Sequence, residues 1–422
     1  MPETDLLRAD AQQAVAELGE ADIVIGIPSY NNARTIGHVV QAVSAGLAKY
    51  FGEYRGVIVN SDGGSSDGTP QAVLETPLET EKLLLVRHPL HPVHRISTPY
   101  HGLPGKGSAF RTIFQAAQRL KAKACAVVDA DLRSITPDWV DLLVRPVLQQ
   151  EFDFVAPYYR RHKYDGTITN SIVYPLTRAL YGTRVRQPIG GEFGLSRRLI
   201  ERLLGKKVWE TDVARYGVDI WMTTTALAEG FLVCQVFLGA KIHDPKDPGA
   251  DLSAMLVQVV GSLFSLMEDY EKRWKAVRGS VPAPLYGFPH TVGLLPVRVH
   301  PDRMASAFQQ GCRDLLPVYQ AFLRPDLQEE LKRLARAPAE EMTLDDLVWA
   351  QVVYEFAAAF HRRTLDRSHL LQSLTPLYLG WVASFIRRTR EASDDEAEQK
   401  IEQLSRAYEQ TKDVLVNRWE GK

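Results

Sequence analysis

Two aspartates one residue apart, Asp129 and Asp131, follow directly on the apolar run Ala124-Cys125-Ala126-Val127-Val128. Such a run reads as a buried strand, which puts the carboxylates at its C-terminal edge, where open α/β sheets bind ligands. Side by side they repel unless a cation lies between them or one takes a proton. Carboxylate oxygens suit Mg²⁺ or Mn²⁺, above all when a diphosphate supplies further ligands. The bland alternative is an Asp-Ala-Asp in the loop before the helix that Pro137 opens. His243 follows a second apolar run, 231–238, and could join Asp131 on the cation, although a histidine at a strand end also serves structure alone.

Four further segments could carry chemistry. Pro28-Ser29-Tyr30-Asn31-Asn32 closes a first strand and can either hold a nucleobase or ribose or cap the next helix. Ser61-Asp62-Gly63-Gly64 closes a second, and Asp62 could accept a hydrogen bond from a uracil or guanine N–H. Small polar turns at two successive strand ends are what a nucleotide pocket requires. Gly102-Leu103-Pro104-Gly105-Lys106-Gly107 places Lys106 near a helix start, where it could meet an anionic diphosphate. The glycine spacing is too short for a P-loop, and Gly107 stands where Ser or Thr would bind magnesium. Gln187-Pro188-Ile189-Gly190-Gly191-Glu192 can line a sugar pocket or form a bulge, and Asp219 opens a helix as a sugar ligand or as its N-terminal acid. Arg160, Arg161, Arg184 and Arg186 form either a solvated basic face or a clamp on an acceptor carboxylate.

The elements that must position these residues alternate through the first 245 positions or so. Strands are expected at 22–28, 56–60, 82–87, 124–128 and 152–158, with helices over 31–50 and 106–120 between them. That rhythm predicts a mostly parallel sheet flanked by helices. A long helical stretch, 251–277, and a proline-rich linker or ordered loop follow. From Met304 to Trp419 the chain reads as all-helical. The expected division is a catalytic domain over 1–280 and a helical domain over 281–422 for packing or oligomerisation, as a homodimer or higher. The charged stretch 394–400 reads as a solvated loop or helix face.

A 45% hydrophobic content supports a sizeable core and excludes whole-chain disorder. A formal net charge of −1 gives no reason to expect nucleic acid or an anionic membrane as partner. The three dispersed cysteines fit neither a disulfide framework nor a zinc site and suit a reducing cytoplasm. No signal peptide is recognised, and no apolar stretch reaches the ~20 residues that span a bilayer.

Together these segments resemble the glycosyltransferase A-type fold. Within it the chain is similar to the retaining enzymes that glycosylate glycerate or 3-phosphoglycerate: glucosylglycerate, mannosylglycerate and glucosyl-3-phosphoglycerate synthases. The likeness covers roughly residues 23–256 and rests on the segments quoted above together with Tyr216-Gly217-Val218-Asp219 and His243. The resemblance implies that Pro28, Tyr30, Asn31 and Ser61 hold the nucleoside, with Asp62 beside them, and that Lys106 contacts the diphosphate. Asp131 and His243 would bind Mg²⁺ or Mn²⁺. Asp129 would lie nearer the ribose or a metal water, with Ala130 also against the nucleotide-sugar. Gly190, Gly191, Glu192 and Asp219 would contact the hexose, and Arg184, Val185 and Arg186 the acceptor. The phosphoglycerate enzymes carry Gly-Arg-Val-Thr, whereas Arg186 stands here, which leaves free and phosphorylated glycerate open. The helical C-terminal region resembles the longer glycerate enzymes and favours D-glycerate.

The implied reaction moves glucose or mannose from a UDP-, GDP- or ADP-hexose to D-glycerate with retention, making a compatible solute. The acceptor hydroxyl would attack from the leaving group's face, with Lys106 and the cation stabilising the diphosphate. A double displacement through Glu192 or Asp219 would give the same outcome. Rival readings are a glucosyl-3-phosphoglycerate synthase, an inverting transferase acting on polysaccharide or lipid, and a nucleotide-binding module without turnover. Glu271-Lys272-Arg273-Trp274 offers only the Arg-Trp of the processive synthases' Gln-x-x-Arg-Trp.

Overall fold

The computed structural model describes residues 7–78, 93–99, 105–211, 213, 215, 217–242, 252–290, 292–294 and 297–422. Strands among them are β1 (Ile23–Ser29), β2 (Gly56–Asp62), β3 (His94–Pro99), β4 (Ala124–Val127), β5 (Phe154–Arg160), β6 (Thr183–Arg184), β7 (Phe193–Ser196), β8 (Val233–Ala240), β9 (Val281–Pro282) and β10 (Leu285–Tyr286). Eight of them form one sheet in the order β10-β8-β5-β7-β4-β1-β2-β3. Every pairing in it is parallel except those of β7, which runs antiparallel to both β4 and β5.

β1, β2 and β4 are buried along their length, which is why they read as continuous apolar runs. Ile23, Ile25 and Ile27 pack into one core with Val39, Val43 and Trp139 from helices Ile36–Phe51 and Pro137–Gln150. Gly26, pointing to the opposite face, lies against Ile113 of helix Lys106–Arg119. A Cβ there would come within 2.8 Å of Ile113 Cδ1, so the helix sits as close as only glycine permits.

The mostly parallel sheet flanked by helices is as expected, with three differences. The expected strand over 82–87 lies outside the described residues. β3 had no counterpart in the expectation; it is an edge strand in which Ile96 and Thr98 are buried and their neighbours are not. β7 was also unforeseen, being four residues long and interrupted by Gly194. The proline-rich stretch is no plain linker, because Leu285–Tyr286 adds to the sheet beside β8 and Gln235 N donates to Pro284 O at 2.7 Å. Prolines, lacking a donor, are tolerated at such an edge.

By its contacts the chain divides into two units. One comprises Met1–Arg160, Ile189–Lys246 and Ala283–Gly293; the other comprises Arg161–Pro188, Asp247–Pro282 and Leu294–Lys422. The division therefore does not fall at residue 280. Helices Tyr174–Tyr181 and Leu252–Asp269 belong with the C-terminal helices. Arg178, 2% exposed, pairs with Glu402 and Glu409, and Trp349 Nε1 donates to Ser171 O at 3.0 Å. The C-terminal region is all-helical over Pro301–Asp314, Leu316–Gln320, Pro325–Arg336, Asp346–Arg362, Arg367–Arg388, Asp394–Gln410 and Lys412–Trp419. The charged stretch at 394 opens one of these helices, with Ser393 and Glu396 forming a reciprocal cap. Cys125, Cys234 and Cys312 are buried and unpaired, and no described helix is long and apolar enough to cross a membrane.

Candidate active site

Strand edges and helix N-termini place five charged side chains in one group, of which Glu192 and Asp219 are buried and Lys106, Asp129 and Lys241 half-buried. Lys106 begins helix Lys106–Arg119, and Asp129 lies two residues past β4. Glu192 directly precedes β7, Asp219 sits in the first turn of helix Val218–Ala228, and Lys241 directly follows β8. Because β7 is antiparallel, its first residue, Phe193, pairs with the last of β4, Val127. Glu192 therefore reaches the same sheet edge as Asp129 from a strand's beginning instead of its end.

The geometry is tight. Lys106 Nζ lies 2.7 Å from Asp129 Oδ1 and 3.5 Å from Asp219 Oδ1. Lys241 Nζ lies 2.9 Å from Asp129 Oδ2 and 2.8 Å from Glu192 Oε1, and it donates to Gly190 O at 2.9 Å. The Tyr159 hydroxyl donates to Glu192, which is fully buried. Gly191 has φ +96°, and a Cβ on it would lie 2.6 Å from Lys241 Nζ and strike Asp129 Oδ2 as well. A side chain there would break the cluster, so glycine at 191 is a steric requirement.

Three carboxylates share two ammonium groups, and burying an uncompensated carboxylate is costly. Burial pushes the Glu192 carboxyl up to about 7, against the pull of Lys241. Burial also raises Asp219, opposed by Lys106. For Asp129 burial is outweighed by Lys106 and Lys241, which hold it well below the usual carboxylate range. Burial would depress the Lys106 ammonium, but Asp129, Asp219 and Glu192 outweigh it and raise it. The excess charge is thus relieved by a proton near Glu192, or by a ligand's positive charge. Asp219 Oδ1 is buried and accepts no hydrogen bond from the described residues, which leaves it able to receive a ligand hydroxyl. The N-termini of two helices, at Lys106 and Val218, add positive potential suited to an anionic group.

A second group occupies the ends of β1 and β2. Asp62 accepts from Ser29 Oγ at 2.9 Å, Gly64 N at 2.9 Å, Ser65 N at 2.8 Å and Ser65 Oγ at 2.6 Å. Its carboxylate is saturated by its own loops, which departs from the expected role of base acceptor. Asn31, at φ +53°, is stitched to Ser65 and Ser66, while Tyr30 is 63% exposed. Ser61 Oγ is buried without a hydrogen-bond partner among the described residues. Thr35 Oγ1 donates to Ala130 O at 2.8 Å, tying the helix after β1 to the aspartate pair.

Of the expected site residues, Lys106, Asp129, Gly190, Gly191, Glu192 and Asp219 come together. Arg184, Val185 and Arg186 fall in the other unit. There Arg184 donates to Ser280 Oγ at 3.0 Å, Val185 is buried, and Arg186 pairs with Glu398 at 2.6 Å and donates to Asn170 Oδ1 at 3.0 Å. His243 lies outside the described residues. Its neighbour Ile242 accepts from Arg133 N at 2.8 Å and donates to Ser134 Oγ at 2.9 Å, just past the aspartate pair. Among the described residues no group of three or more His, Cys, Asp or Glu has metal-holding geometry. Lys241 and Tyr159 received no role from the sequence. The available signal was position, since each lies at a strand's C-terminal edge.

Residues 65–265, just under half of the chain, match the family model described as mannosylglycerate synthase, GT domain. No curated protein sequence matches. Solved structures of glucosyl-3-phosphoglycerate synthase from Mycobacterium tuberculosis are similar. One, with Mn²⁺, UDP and glucosyl-3-phosphoglycerate, is 24% identical over 60% of this chain and 83% of that one, with a TM-score of 0.44. Another, with Mn²⁺, UDP-glucose and glycerol 3-phosphate, is 24% identical over 63% and 85%, with a TM-score of 0.44. A third, with Mg²⁺ and UDP, is 24% identical over 60% and 83%, with a TM-score of 0.43. The span matched by the family model contains Lys106, Asp129, Glu192, Asp219 and Lys241.

Proposed function

We propose that the protein transfers glucose or mannose from a nucleotide-sugar to D-glycerate, with retention at the anomeric carbon and dependence on Mg²⁺ or Mn²⁺. The observation that carries this reading is the five-charge group inside the span that matches the mannosylglycerate synthase GT-domain model. Lys106, at a helix N-terminus, meets the donor diphosphate and stabilises the charge that develops on it. Asp219 and Glu192 receive hexose hydroxyls, and Lys241 and Tyr159 hold Glu192 in place. Pro28, Tyr30, Asn31 and Ser61 line the nucleoside end.

The residues present suit a divalent cation in part. Asp131 is half-buried at the strand edge, whereas both oxygens of Asp129 lie within ion-pair distance of an ammonium group. Asp131 with His243 would hold the cation, a diphosphate completing its shell, and Asp129 acts as the counter-ion that sets the two lysines. When bound, the cation supplies further charge neutralisation on the leaving diphosphate. The acceptor hydroxyl attacks from the face that diphosphate leaves, and a diphosphate oxygen takes its proton.

A matrix assay tests the reading: UDP-, GDP- and ADP-glucose and GDP-mannose against D-glycerate and 3-phosphoglycerate, with and without Mg²⁺ or Mn²⁺. The expected result is metal-dependent product from one donor with D-glycerate, its anomeric proton matching the donor's configuration by NMR. Inverted product, or no transfer to either acceptor, would discard the proposal.

A further inference from the structure

Within the helical unit, helix Pro325–Arg336 begins beside a cavity of about 360 Å³ lined by Arg324, Arg362, Arg418, Thr364, Phe322 and Leu323 among others. Beside it lies Glu355, fully buried on helix Asp346–Arg362. Arg418 Nε donates to Glu355 Oε2 at 2.9 Å, and its Nη2 donates to Phe322 O at 3.1 Å. Arg324 Nε lies 3.4 Å from Glu355 Oε1, and its Nη2 donates to Gln351 and, at 3.2 Å, to Asp326. The buried carboxylate thus pins two guanidinium groups at the cavity wall. Arg362 lines the same cavity, and its guanidinium makes no hydrogen bond or ion pair with any described residue.

We propose that this cavity binds a small molecule through an oxyanion, a phosphate or carboxylate group. Arg362 is the capturing cation, and Arg324 and Arg418 stand pre-positioned beside it. Among the described residues the three guanidinium groups find carboxylate partners only in Glu355 and the largely exposed Asp326, so one positive charge is uncompensated there. A guanidinium fork matches either oxyanion with parallel hydrogen bonds. The N-terminus of helix Pro325–Arg336 has no side-chain cap; Pro325 brings no N–H there, but the helix dipole favours the same sign of ligand. The volume exceeds what one bare ion needs, and Phe322 and Leu323 add apolar wall for a short carbon skeleton. This inference does not depend on the transferase reading, because it concerns side chains of the helical unit only.

The test is thermal unfolding of the full chain in inorganic phosphate and, separately, in acetate, each at fixed ionic strength against chloride. Phosphate stabilises many proteins by exclusion from their surface, which gives an unsaturating rise. A bound oxyanion gives a saturable one. The expected result is saturation by at least one anion, with the half-saturating concentration raised about tenfold or more in Arg362→Ala. Arg362→Lys, keeping charge but losing the fork, should fall between. Arg362 is exposed and unpaired among the described residues, so its variants should fold, and Thr364→Val offers an independent lining change. Saturation by phosphate alone identifies a phosphate site, and by acetate alone a carboxylate site. A saturable rise that Arg362→Ala leaves unmoved, or no saturation in either anion, overturns the proposal.

Discussion

Two groups of buried charges in this molecule solve the same electrostatic problem differently. In the helical unit, Arg178 donates from Nε to Glu409 at 2.9 Å and to Ser280 at 3.1 Å, and from Nη1 to Glu402 at 2.6 Å. Tyr174 closes the second carboxylate with a 2.6 Å hydrogen bond. A planar guanidinium is matched by partners that leave few lone pairs idle, as a structural network must. At the sheet edge, two lysines are divided among three carboxylates, and Asp219 Oδ1 accepts no hydrogen bond from the described residues. Saturation marks a group that holds the fold; incomplete saturation at a strand edge marks one that awaits a ligand.

The sharpest break of that contrast pairs two substitutions. Lys106→Ala should lower kcat/KM about 10³-fold, roughly 4 kcal/mol of transition-state stabilisation, while circular dichroism and the unfolding midpoint stay near wild type. Arg178→Ala should do the reverse, costing about 1–3 kcal/mol of stability by leaving two half-buried carboxylates without their guanidinium while folded molecules keep their turnover. Interchanged outcomes would dissolve the distinction. Gly191→Ala comes next, with a loss of roughly 10²-fold in kcat/KM because its Cβ displaces Lys241 and Asp129. Its positive φ adds about 1–3 kcal/mol of strain, readable in denaturant melts. Lys241→Met should cost on the order of 10-fold, and combined with Glu192→Gln it should be non-additive by about 1 kcal/mol or more. Additive losses would mean that Lys241 does not act through Glu192.

The smallest effect is a pH dependence. Glu192 is raised from 4.5 to about 7 by burial, so the folded state binds the extra proton. Its contribution is fully present below pH 4.5 and is lost as pH rises through about 7. That segment of the stability profile should fall by on the order of 1–3 kcal/mol and flatten in Glu192→Gln, measured by urea unfolding across pH 4.5–7.5. An unchanged slope would assign the proton elsewhere in the cluster.

How much of this was legible in the sequence follows from local pattern. β1, β2 and β4 announce themselves because strands buried on both faces need unbroken apolar runs. Their ends then point to Asp129, Asp62 and Asn31 without further help. β3 and β7 stayed hidden because an edge strand alternates and a four-residue strand held by both neighbours needs little propensity of its own. Asp62 ends β2, and nothing local reveals that Ser29 and Ser65 fill its lone pairs. Lys241 drew no role from the sequence, because its partners Asp129 and Glu192 come from chain positions 112 and 49 residues away. Helices Tyr174–Tyr181 and Leu252–Asp269 were assigned by sequence order to the catalytic part, yet their partners are C-terminal.

The reversed direction of β7 makes that strand a ruler. Its pairing to β4 and β5 on both sides pins Phe193 opposite Val127, so the segment from Gly190 to Glu192 has no freedom to slide. Inserting one residue in the strand would turn the Glu192 carboxylate to the far face, and inserting two would restore its direction but carry it some ~7 Å along the sheet. Loop lengths elsewhere around the domain can drift over generations, whereas the interval between this acid and Ser196 is set by four rungs of backbone pairing.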